Sequence, residues 1–254
     1  MPPPPENKLT YKNPAFTLAE CLITLGIIGV VAALTLPPVI QNYKKHVLIT
    51  KLKKSYSILG QVAQKSINDN GAIGLPSGDR INGNEEITEK FFQTYWLPYF
   101  DGVKVSPNGE DIKLNNDNIP SYKQQNNEYL IRVVKTLYNS GRIFFTTKDG
   151  MTYFVSVKAT KHTYDENGNI ASSEQVFATK QSVLVDINGL QPPNTYGKDV
   201  FSFVIDFEEG TVKPQTEEAM TPNSININCQ KVGLFCAAKI MQDNWQIKKD
   251  YPSL

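Results

Sequence analysis

The sequence predicts an α+β protein in which one long N-terminal helix precedes an antiparallel β-sheet head. Three observations lead there: an unbroken apolar run over residues 16–36, an amphipathic continuation to about residue 70, and β-branched and aromatic runs from residue 129 onward. The chain has 254 residues, 40% hydrophobic and 20% charged, which is enough apolar material for a real core and excludes wholesale disorder. Its formal net charge is +1, which argues against a polyanion binder that works by bulk charge. The balance hides an asymmetry, because residues 1–70 carry eight basic and three acidic residues and the remainder is net acidic. Nucleic-acid contact by the head is therefore not expected, since phosphate binding needs clustered basic residues.

The apolar run FTLAECLITLGIIGVVAALTL contains a single charge, Glu20. At about 1.5 Å per residue, a helix of this length spans roughly 30 Å, the thickness of a bilayer core. The run passes into Pro37-Pro38 and a basic stretch, without the small-residue cut of a secretory signal peptide, so it is expected to stay in the mature chain. An ionised carboxylate near the start of such a helix is costly unless paired. No residue of the run is basic, so the partner is expected from elsewhere: another chain, a lipid head group or a nearby amino terminus. The plainer alternative is a carboxylate at interfacial depth beside a helix N-terminus, which favours anions.

After Pro38 the pattern becomes amphipathic, with Val39 or Ile40, Tyr43, Val47, Leu52, Tyr56, Leu59, Val62 or Ala63, and Ile67 at helical spacing. Asn68-Asp69-Asn70-Gly71 suits a left-handed cap and ends the helix there. Its lysines read most simply as a solvated face. A second helix is expected from Asn84 as N-cap to Trp96, before Pro98, with Ile87, Phe91 and Tyr95 on one packing face. Strands are expected over 129–138, 142–147, 151–158, 176–187 and 200–207. Asn139-Ser140-Gly141, Lys148-Asp149-Gly150 and Asn167-Gly168 fit hairpin turns, which favours antiparallel pairing. Catalysis is not expected. His46 and His162 are the only histidines, and no nucleophile elbow, phosphate loop or paired metal motif is present.

Ala15-Phe16-Thr17-Leu18-Ala19-Glu20, followed by the apolar helix and Pro37, resembles the N-terminal signal of type IV pilins and the related pseudopilins of type II secretion. In that family a prepilin peptidase cuts before a Phe, methylates its new amino group and leaves a Glu at the fifth mature position. The family usually has Gly before the cut, where this chain has Ala15. The resemblance implies a cleaved leader over residues 1–15, a transmembrane half of the helix over 16–36, a kink at Pro37, an amphipathic half over 37–70 and a head over 71–254 packed on the helix. It also implies an inner-membrane precursor with the head outside the cytoplasm, which then enters a filament. Glu20 would neutralise the Phe16 ammonium of a neighbouring subunit, and the implied partners are the peptidase, an inner-membrane platform with its ATPase, and sibling pilins. A plain single-span anchor whose head binds a ligand or surface is the alternative.

With the head outside the cytoplasm, Cys229 and Cys236 become disulfide partners, and a C-terminal disulfide loop recurs in the resembled family. Two separate buried thiols are the alternative, and Cys21 in the apolar helix behaves as a small hydrophobe. Calcium loops occur in the sheet region of some pseudopilins, which makes Asp186, Asn188, Asn194 and Asp199 a candidate calcium set here. Against it, Asp and Asn also populate ordinary turns because they bond their own backbone. No cofactor is otherwise required.

Overall fold

The computed structural model describes residues 17–71, 85–105, 122–126, 129–131, 141–164, 170–217 and 220–253. The chain divides into two compact units, Met1–Lys44 and Lys45–Leu254. Helix α1 spans Leu18–Asn70 and runs unbroken through Pro37 and Pro38. It stops where Gly71 takes a positive φ of 80° and returns its N–H to Ile67 O, the glycine cap that the sequence announces.

In the first unit α1 is apolar and uncovered. Leu22, Ile23, Leu25, Ile27, Ile28 and Leu34 are all exposed. It is the one helix among the described residues long and apolar enough to cross a membrane, and none of its most apolar 18-residue stretch is buried. That burial pattern distinguishes it from the core helix of a globular domain.

In the second unit the rest of α1 buries Leu48, Leu52, Ser55, Leu59, Val62, Ala63 and Ser66. This stripe is narrower than the expected one and starts later, since Val39, Ile40 and Tyr43 are exposed and Leu48 is buried more deeply than Val47. The stripe joins one core with a six-stranded antiparallel sheet. The sheet order is β1(Lys104–Val105), β4(Arg142–Thr146), β5(Thr152–Tyr164), β6(Ile170–Asp186), β7(Val200–Asp206) and β8(Thr211–Pro214). A separate antiparallel pair joins β2(Tyr122–Lys123) to β3(Tyr129–Ile131). The head is thus an α+β fold with α1 packed on the sheet.

Strand alternation assigns the two faces. Tyr153, Val155 and Val157 on β5, Val183 and Val185 on β6, and Phe201, Phe203 and Ile205 on β7 enter the main core. Phe154, Leu184 and Val200 belong instead to a smaller cluster with Tyr122 and Tyr196. Helix α2(Glu85–Tyr95) and the 3-10 turn Leu97–Tyr99 pack aromatics on the core, but the buried face is Thr88, Phe91, Phe92 and Trp96, with Phe100 beyond the turn, while Ile87 and Tyr95 of the expected face are half-buried. Trp96 Nε1 donates to Gln181 Oε1 at 2.7 Å, so the indole is buried with its polar end satisfied. The expected N-cap Asn84 lies outside the described residues, as do most of the predicted 129–138 strand and the Asn139-Ser140 turn.

Two helices went unforeseen: α3(Pro222–Lys231) and α4(Cys236–Gln242). Thr221 caps α3, accepting from Ser224 N at 3.2 Å, and Pro222 stands at the first helical position.

Candidate functional site

Two constellations carry the polar chemistry, one in each unit. At the start of α1, Thr17 N and Thr17 Oγ1 each donate to Glu20 Oε2 at 2.8 Å, and Glu20 N donates back to Thr17 Oγ1 at 3.2 Å. This is a reciprocal capping box, in which a Thr and a Glu three residues later satisfy helix-end N–H groups that have no partner inside the helix. Thr17 thus gives Glu20 local hydrogen-bond donors at the helix N-terminus, without supplying a counter-charge. The signal was in the sequence, as Thr-x-x-Glu ahead of an apolar run. Ala15 and Phe16, the expected cut, lie outside the described residues.

The second constellation is the connection from β6 to β7. Asp186 ends β6, Asp199 immediately precedes β7, and Asn188 and Asn194 lie between them. The structure brings all four together. Asp199 Oδ2 accepts from Asn194 N at 2.8 Å and from Asn188 Nδ2 at 3.3 Å, while Asp199 Oδ1 accepts from Thr195 N at 2.6 Å. Asp186 accepts from Asn188 N at 3.2 Å and from the Tyr122 hydroxyl at 3.3 Å. With the Asn194 amide oriented to satisfy its neighbours, Asn194 Nδ2 donates to Gln191 O at 2.8 Å and to Asp186 Oδ2 at 3.2 Å. Asn194 has a φ of 49°, a left-handed conformation that Asn tolerates better than most residues, and the Pro192-Pro193 peptide is cis.

Both carboxyl groups are almost fully buried, and burial disfavours their charged forms. Burial first, and then the neighbouring Asp199, pushes the Asp186 pKa up to about 8, with Lys51 pulling in the opposite direction. Burial also raises Asp199, against the three N–H donors that favour its ionised form. Two buried carboxyl groups side by side resist ionising together, so the pair favours retaining a proton. No group of three or more His, Cys, Asp or Glu side chains arranged to hold a metal occurs among the described residues.

Two polar side chains flank the pair. Thr152, directly opposite Asp186 across β5 and β6, sets its hydroxyl against that of Tyr122, which in turn donates to Asp186. Asn188 Oδ1 is buried without a hydrogen-bond partner among the described residues. Such an atom costs about 1–3 kcal/mol relative to a satisfied one. Neither Thr152 nor Tyr122 stands out in the sequence, because each belongs to this site only through strand pairing.

The C-terminal helices lock the connection in place. Cys229 and Cys236 form a disulfide with Cα atoms 4.6 Å apart, tying α3 to α4. A Cβ on Gly197 would lie 2.5 Å from Cys236 Sγ, and one on Gly233 would lie 2.5 Å from Tyr196 O, so both positions require glycine for close approach as well as for positive φ. Lys123 N donates to Asn194 O, Tyr196 N to Lys123 O, and Gln125 N to Val232 O. The Asx-rich connection thus sits where β2, the sheet and the C-terminal helices meet.

The profile of a family of unknown function, DUF6613, matches residues 38–254. The chain belongs to this family. No curated protein and no solved structure matches it. The DUF6613 region contains the acid pair, its neighbours Thr152 and Asn188 and the disulfide, whereas Thr17, Glu20 and the apolar stretch up to Leu36 precede it.

Proposed function

We propose that this DUF6613 protein is a filament subunit of the type IV pilin or pseudopilin kind, cut between Ala15 and Phe16 by a prepilin peptidase and polymerised through α1. The observation that carries the reading is the apolar stretch of α1, uncovered in the chain and opened by a polar box containing its one acid. Such a surface needs either lipid or a bundle of like helices. Before assembly the span lies in the inner membrane with the head outside the cytoplasm. An assembly platform and its ATPase then move it into the filament among sibling pilins. The role is mechanical, not catalytic.

The polar box fits this transfer. A new ammonium at Phe16 would lie one residue from Thr17, so the Glu20 carboxylate can exchange its local donors for the ammonium of a neighbouring subunit. A charge pair of this kind inside an apolar bundle sets the register between subunits. The contact is heterologous and does not close, so it grows a fibre. Intact mass and N-terminal sequencing of protein extracted from native membranes test the reading. A chain beginning at methylated Phe16 supports it, and one that still carries Ala15 and the preceding residues returns the protein to a plain single-span anchor.

A further inference from the structure

The segment that follows α4, residues 243–251, contains no helix or strand, yet it is fastened on both flanks of the disulfide. Beside Cys229, Gln230 Nε2 donates to Asp250 O at 3.0 Å. On the other flank Tyr251 is buried, and its hydroxyl donates to Gly197 O, part of the backbone that lies against Cys236 Sγ. The charge that holds the segment is Lys239, which is only 4% exposed. Its Nζ donates to Asp250 Oδ2 at 2.7 Å and to Asp243 Oδ2 at 3.1 Å, so a buried ammonium is paired twice by the segment it fastens.

This arrangement controls the chemistry of the two sulfur atoms. Thiol exchange needs direct attack on one sulfur of the bond, and its rate depends on access. Cys229 and Cys236 are both fully buried. Of the groups around them, the 243–251 segment is the most weakly held, since Gln246, Lys248, Lys249 and Asp250 are exposed and its fastening at the disulfide is polar. A segment of that kind opens at a lower free energy than the centre of a sheet.

We infer that the Cys229–Cys236 bond is closed to exchange in the folded head, with the 243–251 segment as its latch, and that the dithiol oxidation which makes the bond acts on a chain whose latch has not docked. In that step the two thiols lose two protons and two electrons to a disulfide co-reactant, of a protein or of glutathione, which leaves as two thiols. Every group involved lies in Lys45–Leu254, so the inference stands apart from the filament reading.

The test follows reduction of the full chain in detergent micelles near neutral pH, with Cys21 blocked beforehand by N-ethylmaleimide so that later label counts only the pair. The reductant is tris(carboxyethyl)phosphine: phosphorus attacks one sulfur, the S–S bond breaks, water supplies the oxygen of the phosphine oxide, and two thiols remain. The wild-type chain should react at least about 100-fold more slowly than in guanidinium chloride, with a rate that changes little at low denaturant, the mark of local opening. Tyr251→Phe keeps the ring and loses the bond to Gly197, and Asp250→Asn keeps the shape and loses the charge; together they should speed reduction about tenfold. Val155→Ala truncates the core at β5, lowers global stability and should leave the rate nearly unchanged. Oxidised glutathione present from the start of refolding should close the bond about tenfold faster than when added to the refolded dithiol. Reduction of the wild type as fast as in denaturant, latch variants without effect, a matching acceleration by Val155→Ala, or equal closure rates in both orders of addition would overturn the inference.

Discussion

Glu20 illustrates how one carboxylate can serve a local and a distant partner, and a charge-neutral substitution separates the two. A capping box accepts Gln as readily as Glu, so Glu20→Gln keeps the bonds with Thr17 and removes the charge. If the charge pairs with a neighbouring ammonium, Glu20→Gln and Glu20→Ala should both leave the protein in the membrane fraction and absent from sheared filaments, as read by immunoblot. A plain anchor would tolerate Glu20→Gln and feel Glu20→Ala only as a lost cap. The buried pair makes a second residue-level prediction, with its sign fixed by linkage. An unfolded Asp titrates near 3.9, whereas folded Asp186 titrates at about 8, so between these values the native state holds the extra proton. The pair's contribution is thus fully present below about pH 4 and lost as pH rises through about 8. The groups that face Asp186 are Asp199, Tyr122, Asn188, Asn194 and Lys51. Asp186→Asn keeps an acceptor and gains donors, so it should flatten the fall in thermal midpoint from pH 5 to pH 8 and stabilise the fold at pH 8 by a few kcal/mol, on the order of the charge it removes. Calcium bound by the pair would give the opposite outcome: added calcium would raise the wild-type midpoint at pH 8, and Asp186→Asn would cancel that gain.

At the level of elements, the disulfide joins two helices that are too small to hold themselves. Helix α3 has ten residues and α4 seven, below the length at which a helix is stable alone. Reducing Cys229–Cys236, or replacing both residues with Ser, should cost about 2–3 kcal/mol, measured by chemical denaturation. Because Gly197 touches Cys236 and Tyr251 Oη donates to Gly197 O, amide exchange should accelerate first around 195–199 and in the C-terminal helices, while the centre of β5–β7 stays protected. Legibility in the sequence divides along the same line. Helix α1, its glycine stop, α2 and the cores of β4 to β7 were readable because each buries one face over enough residues to establish a period. The β5–β6 hairpin continues through a polar stretch, to Tyr164 opposite Ile170, where the alternation fades and register alone extends the pair. The strands β1, β2 and β8, of two to four residues, are too short to show any period, and α3 and α4 are polar or tethered by a covalent bond. At the site, the Asx residues and the cysteines were legible by type and spacing, whereas Thr152, Tyr122 and Lys51 reach Asp186 across the fold. Thr17 is the reverse case, legible in principle as half of a four-residue box.

For the whole molecule, the decisive fact is where along α1 burial begins. Every side chain that α1 buries follows Lys45, from Leu48 to Ser66, and among the described residues every large exposed hydrophobic residue except Ile227 precedes it. The division between the two compact units falls at the same place, between Lys44 and Lys45. One continuous helix therefore performs two solvation tasks, half of it completing a globular core and half exposing apolar surface that water penalises at about 25 cal/mol per Å². A chain starting at Lys45 retains the whole core of the head, including the Tyr56 contact with Phe203 and the Gln64 bond to Gly210 O. It should be soluble and monomeric without detergent and should melt cooperatively, as followed by circular dichroism and sedimentation. The full chain should instead need detergent and should stay with membranes through alkaline carbonate washing. If the shortened head aggregated, the 18–44 segment would have to be covering apolar surface of the head, and its role as a membrane or filament helix would be the first conclusion to fall. If it is soluble, the head folds without the apolar half of α1, whose most apolar stretch is unburied by the described residues and is left to lipid or to like helices.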